Sequence, residues 1–163
     1  MQETYLGSLG NYRKGSIEII KGKPGHYAMS NVFEVASHAA PYEKVVVGKN
    51  LKYVIETVRA EGISPWFSAS HDEFAVVLDG EIDVHFIKPS NGPLVNADTE
   101  GSVRLDAEPA GQPMGYVRLR RGHQALLPAG AAYRFEARQT GVLLVQTILG
   151  SSSVEKWAEI CIQ

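Results

Sequence analysis

The chain has 163 residues, 44% of them hydrophobic, and a formal net charge of -2. That length suits one domain with a sizeable core, and 16 basic against 18 acidic residues leave no basic tract for nucleic acid or an anionic membrane. No apolar run reaches transmembrane length, the first residues lack the apolar stretch of a signal peptide, and Cys161 is the lone cysteine, so a reducing cytoplasm is the expected setting.

Residues 1–16 set Gly7, Gly10 and Gly15 among Tyr5, Leu6, Leu9 and Tyr12. They read as an extended arm on a neighbouring surface or as a frayed end. Residues 16–20 read as a short strand. Asn31 and Glu34 have capping-box spacing, which predicts a helix over 32–38 that ends before Pro41. A strand is expected over 44–47 and a turn at Gly48-Lys49-Asn50. Leu51, Tyr53, Ile55 and Thr57 then alternate with Lys52, Val54, Glu56 and Val58 in a second strand.

Two alternating runs meet at Asp79-Gly80, a dipeptide that favours positive φ and predicts a two-residue hairpin. Residues 88–115 form a long insert rich in Pro, Gly, Asn and Asp, of the kind that is functional or mobile. Strands are expected over 116–120, 124–127, 132–137 and 142–149. Ser152 and Glu155 predict a C-terminal helix over 154–161 that buries Trp157 and Ile160. Many short strands with helices only at the edges make an all-β fold, and no linker divides 1–163.

Two spacings narrow the fold. Glu73 is followed by six residues and Gly80. Gly122, five residues, then Pro128-Ala129-Gly130 follow later. The pair resembles the two signatures of the cupin family and implies its jelly-roll barrel, a double-stranded β-helix. The ligand positions depart from that pattern. Trp66 and Ser68, or Phe67 and Ala69, stand where the first signature has histidines, and Tyr133 stands where the second has one. An iron or manganese site needs imidazole and carboxylate donors converging on one point. Glu73 alone does not hold a metal, so no metal is expected in this chain.

Trp66 and Tyr133 would point into the barrel, either lining an aromatic ligand or plugging the space that lost ligands leave. His71 shares a strand face with Glu73. His71 with Tyr133 mimics the base and acid of metal-free sugar epimerases of cupin fold, which keeps open a homo-oligomeric cupin that binds or epimerises a small molecule. Arg118, Arg120 and Arg121 read as a solvated strand face, and the other histidines are scattered.

Over most of its length the chain also resembles a narrower group, the small subunit of the two-component hydroquinone 1,2-dioxygenases. The resemblance lies in GNYRKGSIEIIKGKPGHYAMSNVFEVASHAAPYEKVVVGKN, SHDEFAVVLDGEIDVHF and RRGHQALLPAGAAYRFEA. It implies a large cupin subunit that carries Fe(II), a heterotetramer of two small and two large chains, and cleavage of hydroquinone to 4-hydroxymuconic semialdehyde. The setting would be bacterial degradation of 4-nitrophenol or 4-hydroxyacetophenone. Trp66 would then reach the partner's substrate pocket, and this chain alone would be inactive.

Overall fold

The structure, a computed structural model, describes residues 7–13, 18–23 and 30–161. The arm expected over 1–16 and the strand expected over 16–20 therefore fall partly outside the described residues. Residues 18–20 form no strand, while Ser8 and Asn11 close a small bridge.

Asn31 caps α1 (Val32–His38), its Oδ1 accepting from the amides of Phe33 at 3.0 Å and Glu34 at 3.3 Å, as an N-cap oxygen does. Val35 and Ala39 then pack on Val45, which seats α1 on the outside of the sheet. The strands follow as β1 (Lys44–Asn50), β2 (Tyr53–Ile63), β3 (Phe67–Ala69), β4 (Glu73–Asp79), β5 (Glu81–Pro89), β6 (Ser102–Arg104), β7 (Gly111–Arg120), β8 (Gln124–Leu127), β9 (Ala132–Ile148) and β10 (Ser153–Val154), with α2 (Trp157–Ile160) last. All ten strands of the described residues join one curled sheet. The fold is all-β with short peripheral helices, as its turn-punctuated alternation predicts.

The pairing at Asp79-Gly80 differs from the hairpin that the dipeptide suggests. β4 and β5 do not pair with each other. Both run antiparallel to β9, β4 through Phe74↔Gln146 to Asp79↔Val142 and β5 through Asp83↔Glu136 to Ile87↔Ala132. Gly80 does take positive φ, 80°, but it turns a corner in one long path. β9 turns the same corner at Gly141, and a Cβ on Gly80 would meet the Gly141 Cα at 3.0 Å. The next path, from β7 into β8, bends at Gly122, whose amide donates to the Val77 carbonyl at 2.8 Å. On the other side β2 slips register between Ala60 and Gly62. Four neighbouring paths thus fold over one line, which converts a sheet into a barrel.

Three other boundaries shift. β1 continues to Asn50 through a bulge between Val46 and Gly48, and the turn falls on Leu51 with φ 55°. The stretch 88–115 contains β6, which pairs β3, and the start of β7, which pairs β5 back to Pro89↔Gly111. At the C-terminus Ser153 and Val154 pair in parallel with Lys44 and Val45. The ladder takes the residues that a longer helix would need, and α2 buries no side chain. The main core, including Val58, Ile82, Val84, Phe135, Leu143 and Val145, fills the barrel.

The corner makes a ranked prediction. Gly80→Ala combines positive φ with a backbone contact, and Gly141→Ala would drive a Cβ to 2.7 Å from the Asp79 carbonyl oxygen. Each should cost about 1–3 kcal/mol. Gly122→Ala meets no atom within 4 Å and should cost about 1 kcal/mol, from its left-handed φ alone. Urea unfolding of the three variants measures the order.

Candidate functional site

Strand alternation sends Lys44, Glu56, Glu73 and Tyr133 into one end of the barrel. Each is at most 2% exposed. Tyr133 lies beside Phe67 in the register of β9 and β3, with ring centroids 5.9 Å apart. Its hydroxyl donates to Glu73 Oε2 at 2.7 Å. The Lys44 ammonium donates to Ser102 Oγ and lies 3.4 Å from the Tyr133 hydroxyl. It also sits 4.3 Å from the centre of the Phe67 ring, a cation–π contact in a desolvated place. Glu56 Oε1 accepts from Ser153 Oγ at 2.6 Å.

The protonation states follow from this packing. Burial, with Glu73 beside it, holds the Tyr133 hydroxyl well above its ordinary range, so it stays a donor. Burial raises Glu56 above the ordinary 4.5. The charge of Lys44 and the Ser153 hydrogen bond oppose the rise, and Glu73 adds to it.

Glu73 and Tyr133 do converge, as their places in the two signatures require, but on each other. Ser68 donates instead to the Ala131 carbonyl at 3.0 Å, and Phe67 and Ala69 have no donor to give. The one cation in the cage is the Lys44 ammonium, whose charge repels a divalent ion. Among the described residues no group of three or more His, Cys, Asp or Glu is placed to hold a metal. These residues do not fit a ferrous ion, which needs several imidazole and carboxylate donors.

His71 lies apart from Tyr133 in its bonding. Its Nε2 pairs with Thr147 Oγ1 at 3.0 Å, and its buried Nδ1 meets no protein partner. Trp66 is 7% exposed and packs with Ile87, Ala132, Leu94 and Leu105 in a separate cluster. The Arg134 guanidinium carbon stands 4.7 Å from the centre of its ring. Arg118 makes a two-point ion pair with Asp83, at 2.7 and 2.8 Å, and Arg120 bonds Glu81 at 2.7 Å, so this face is charged and internally paired.

Lys44 and Glu56 are the members that motif reading passes over. Their signal was the phase of the strands, since Lys44 keeps step with Val46 and Glu56 with Val54 and Val58, all buried.

No protein-family model matches the chain, and no curated protein does. Solved structures match it closely. A chain of "hydroquinone 1,2-dioxygenase PnpCD in complex with Cd2+ and 4-hydroxybenzonitrile" is 60% identical, with TM-score 0.91, over 100% of this chain and 98% of that one. A chain of hydroquinone 1,2-dioxygenase from Sphingomonas sp. TTNP3, with 4-hydroxybenzoate bound, is 54% identical, with TM-score 0.93, over 100% and 99%. Two matches at 15% identity speak to the fold alone. One is a chain of PnpCD in complex with Fe3+, with TM-score 0.60 over 82% of this chain but 36% of that one. The other is a cupin-2 domain protein from Shewanella frigidimarina, with TM-score 0.50 over 71% and 89%. The barrel is a cupin barrel.

Glu56 generates a pH prediction. Its folded pKa is raised, so its contribution is fully present below the unfolded value, near 4.5, and is lost as pH rises through the folded value. Glu56→Gln should match the wild type at acid pH and become relatively more stable as pH climbs from there toward neutrality. Paired melting curves across that range test it, and a constant offset would assign the effect elsewhere.

Proposed function

This chain belongs to the hydroquinone 1,2-dioxygenase family, and from that premise we propose that it is the small, metal-free subunit of an Fe(II)-dependent enzyme of this kind. The observation that carries the reading is Tyr133 donating to Glu73, two positions where the cupin signatures have metal ligands, with the Lys44 ammonium 3.4 Å from the same hydroxyl. End-to-end likeness to chains of two such dioxygenases supports it. So does the second, much longer PnpCD chain, which carries the same fold over about a third of its length.

On this reading the longer subunit holds the iron and this chain stabilises it, in a heterotetramer of two small and two large chains. The complex opens the hydroquinone ring beside a hydroxyl-bearing carbon. Both oxygen atoms of O2 enter the product, 4-hydroxymuconic semialdehyde, in the breakdown of 4-nitrophenol or 4-hydroxyacetophenone. The cytoplasm is its place of work. No helix among the described residues is long and apolar enough to cross a membrane. On this reading Trp66 supplies a flat apolar face to the phenolic ring in the partner's substrate pocket, while within this chain the Arg134 guanidinium carbon lies 4.7 Å from the centre of its ring. Aromatic pairing there adds about 0.5–1.5 kcal/mol to phenol binding.

Purified alone and treated with ferrous iron under argon, the chain should retain no stoichiometric iron and should not cleave hydroquinone. Adding the longer chain should restore turnover. Tight iron in this chain, or turnover by it alone, overturns the reading.

Trp66→Ala in the complex should raise KM for hydroquinone while iron content stays full. An unchanged KM with a melting point lowered by the loss of a buried ring, about 3–5 kcal/mol, would make Trp66 a plug instead.

A further inference from the structure

A cavity of about 420 Å³ opens beside the buried Lys44, bounded by the start of β1, by β3 and β6, and by the turn before β10. That volume suits a small molecule. Pro41, Tyr42, Pro65 and Phe67 give it apolar walls. Tyr42 holds φ at 60°, a left-handed conformation that a bulky residue adopts only where its surroundings impose it. Its amide donates to the Arg59 carbonyl at 2.9 Å and its hydroxyl to the Gly62 carbonyl at 2.6 Å, so this wall is fixed at both ends. Arg104, also on the wall, stands opposite Phe67 in the register of β6 and β3. Cross-strand partners share a sheet face. Phe67 belongs to the barrel core, so Arg104 projects on the barrel side at the rim of the cavity.

The charges of this cavity do not balance. Glu43, the acidic residue of its wall, is already engaged. Its Oε1 accepts from Lys156 at 2.8 Å and its Oε2 from the Ala40 amide at 3.0 Å. The Lys44 ammonium turns inward to Ser102 and the Tyr133 hydroxyl. Arg104 is exposed, and among the described residues it has no ion-pair or hydrogen-bond partner. The hydroxyls of Ser151 and Ser152, on the same wall, also bond no described residue. We propose that the cavity binds a small carboxylic acid with a flat apolar body, its carboxylate on Arg104 and its body against Pro65 and Phe67. A guanidinium fork matches a carboxylate at two points. A neutral molecule leaves the guanidinium without its counter-charge, and an ammonium group is repelled. One uncompensated cation falls short of the charge of a phosphate monoester. The site is argued from this chain alone. On the small-subunit reading it gains a natural occupant, because opening the ring beside a hydroxyl-bearing carbon makes that carbon a carboxylic acid. The product then belongs to this ligand class, and uncharged hydroquinone does not.

The test is calorimetric titration of the full chain with benzoate as the probe. Benzoate should bind saturably at a single site. Benzamide and benzylamine, which keep the ring and lose the negative charge, should bind about 10-fold or more weaker. Arg104→Gln, at an exposed position, should keep the wild-type melting point and lose about 10-fold or more in affinity for benzoate. Ser151→Asp, which brings a negative charge to the wall, should lose binding as well. Arg138→Gln, which removes an exposed arginine outside the cavity, should bind benzoate as the wild type does. Hydroquinone should not displace benzoate. Absence of saturable binding overturns the proposal, and so does benzamide binding as tightly as benzoate. Unchanged affinity in either wall variant, an equal loss in Arg138→Gln, or displacement by hydroquinone overturns it too. The titration needs neither iron nor the longer chain, so its failure is distinct from failure of the small-subunit reading.

Discussion

Every path in the barrel answers to β9. This strand runs antiparallel to β2, β3, β4 and β5, so its shape is imposed on four partners at once. A strand paired on both sides above and below its bend, as β9 is over 142–146 with β2 and β4, cannot turn unless its neighbours turn at the same level. Gly141 supplies the bend in β9. Gly80 approaches it closely enough that no side chain fits between the two backbones. The glycines that the cupin spacing picks out are therefore corner pieces. Gly80 and Gly122 recur at fixed distances from Glu73 and Pro128 because the corner lies a fixed number of residues from the barrel end where those residues sit.

That separation lets the corner keep its form whatever side chains the barrel end carries. The corner depends on backbone conformation and close approach, and the barrel end depends on what four side chains can satisfy. Glu73 remains at its place with a hydroxyl donor where an ion would be, and Tyr133 is held in its donor state by burial. Lys44 adds positive charge from β1, which β2 separates from β9, and places it against Ser102, the Tyr133 hydroxyl and the Phe67 ring. A carboxylate buried without such partners would be costly.

What could be seen in the sequence divides along the same line. The helix at 32–38 was visible because its cap is local, a side-chain oxygen reaching amides two and three residues on. The cupin frame was visible because glycine and proline mark conformations directly. The pairing of β4 with β9, in place of a hairpin with β5, was not visible. Asp79-Gly80 allows a tight turn and a corner equally, and a partner some sixty residues away decides between them. The C-terminal helix failed for a related reason, since parallel pairing of Ser153 with Lys44 is a long-range bond that capping spacing does not register. Loss of the histidines was plain to read. What replaced them was not, because Lys44 and Glu56 belong to no motif and gain meaning only when strand phase turns them inward.

A covalently attached cation behaves unlike a bound one. The Lys44 ammonium cannot be chelated, exchanged for another element or change oxidation state. The positive charge that faces Glu73 and Glu56 is therefore carried into the barrel by the chain itself as it folds.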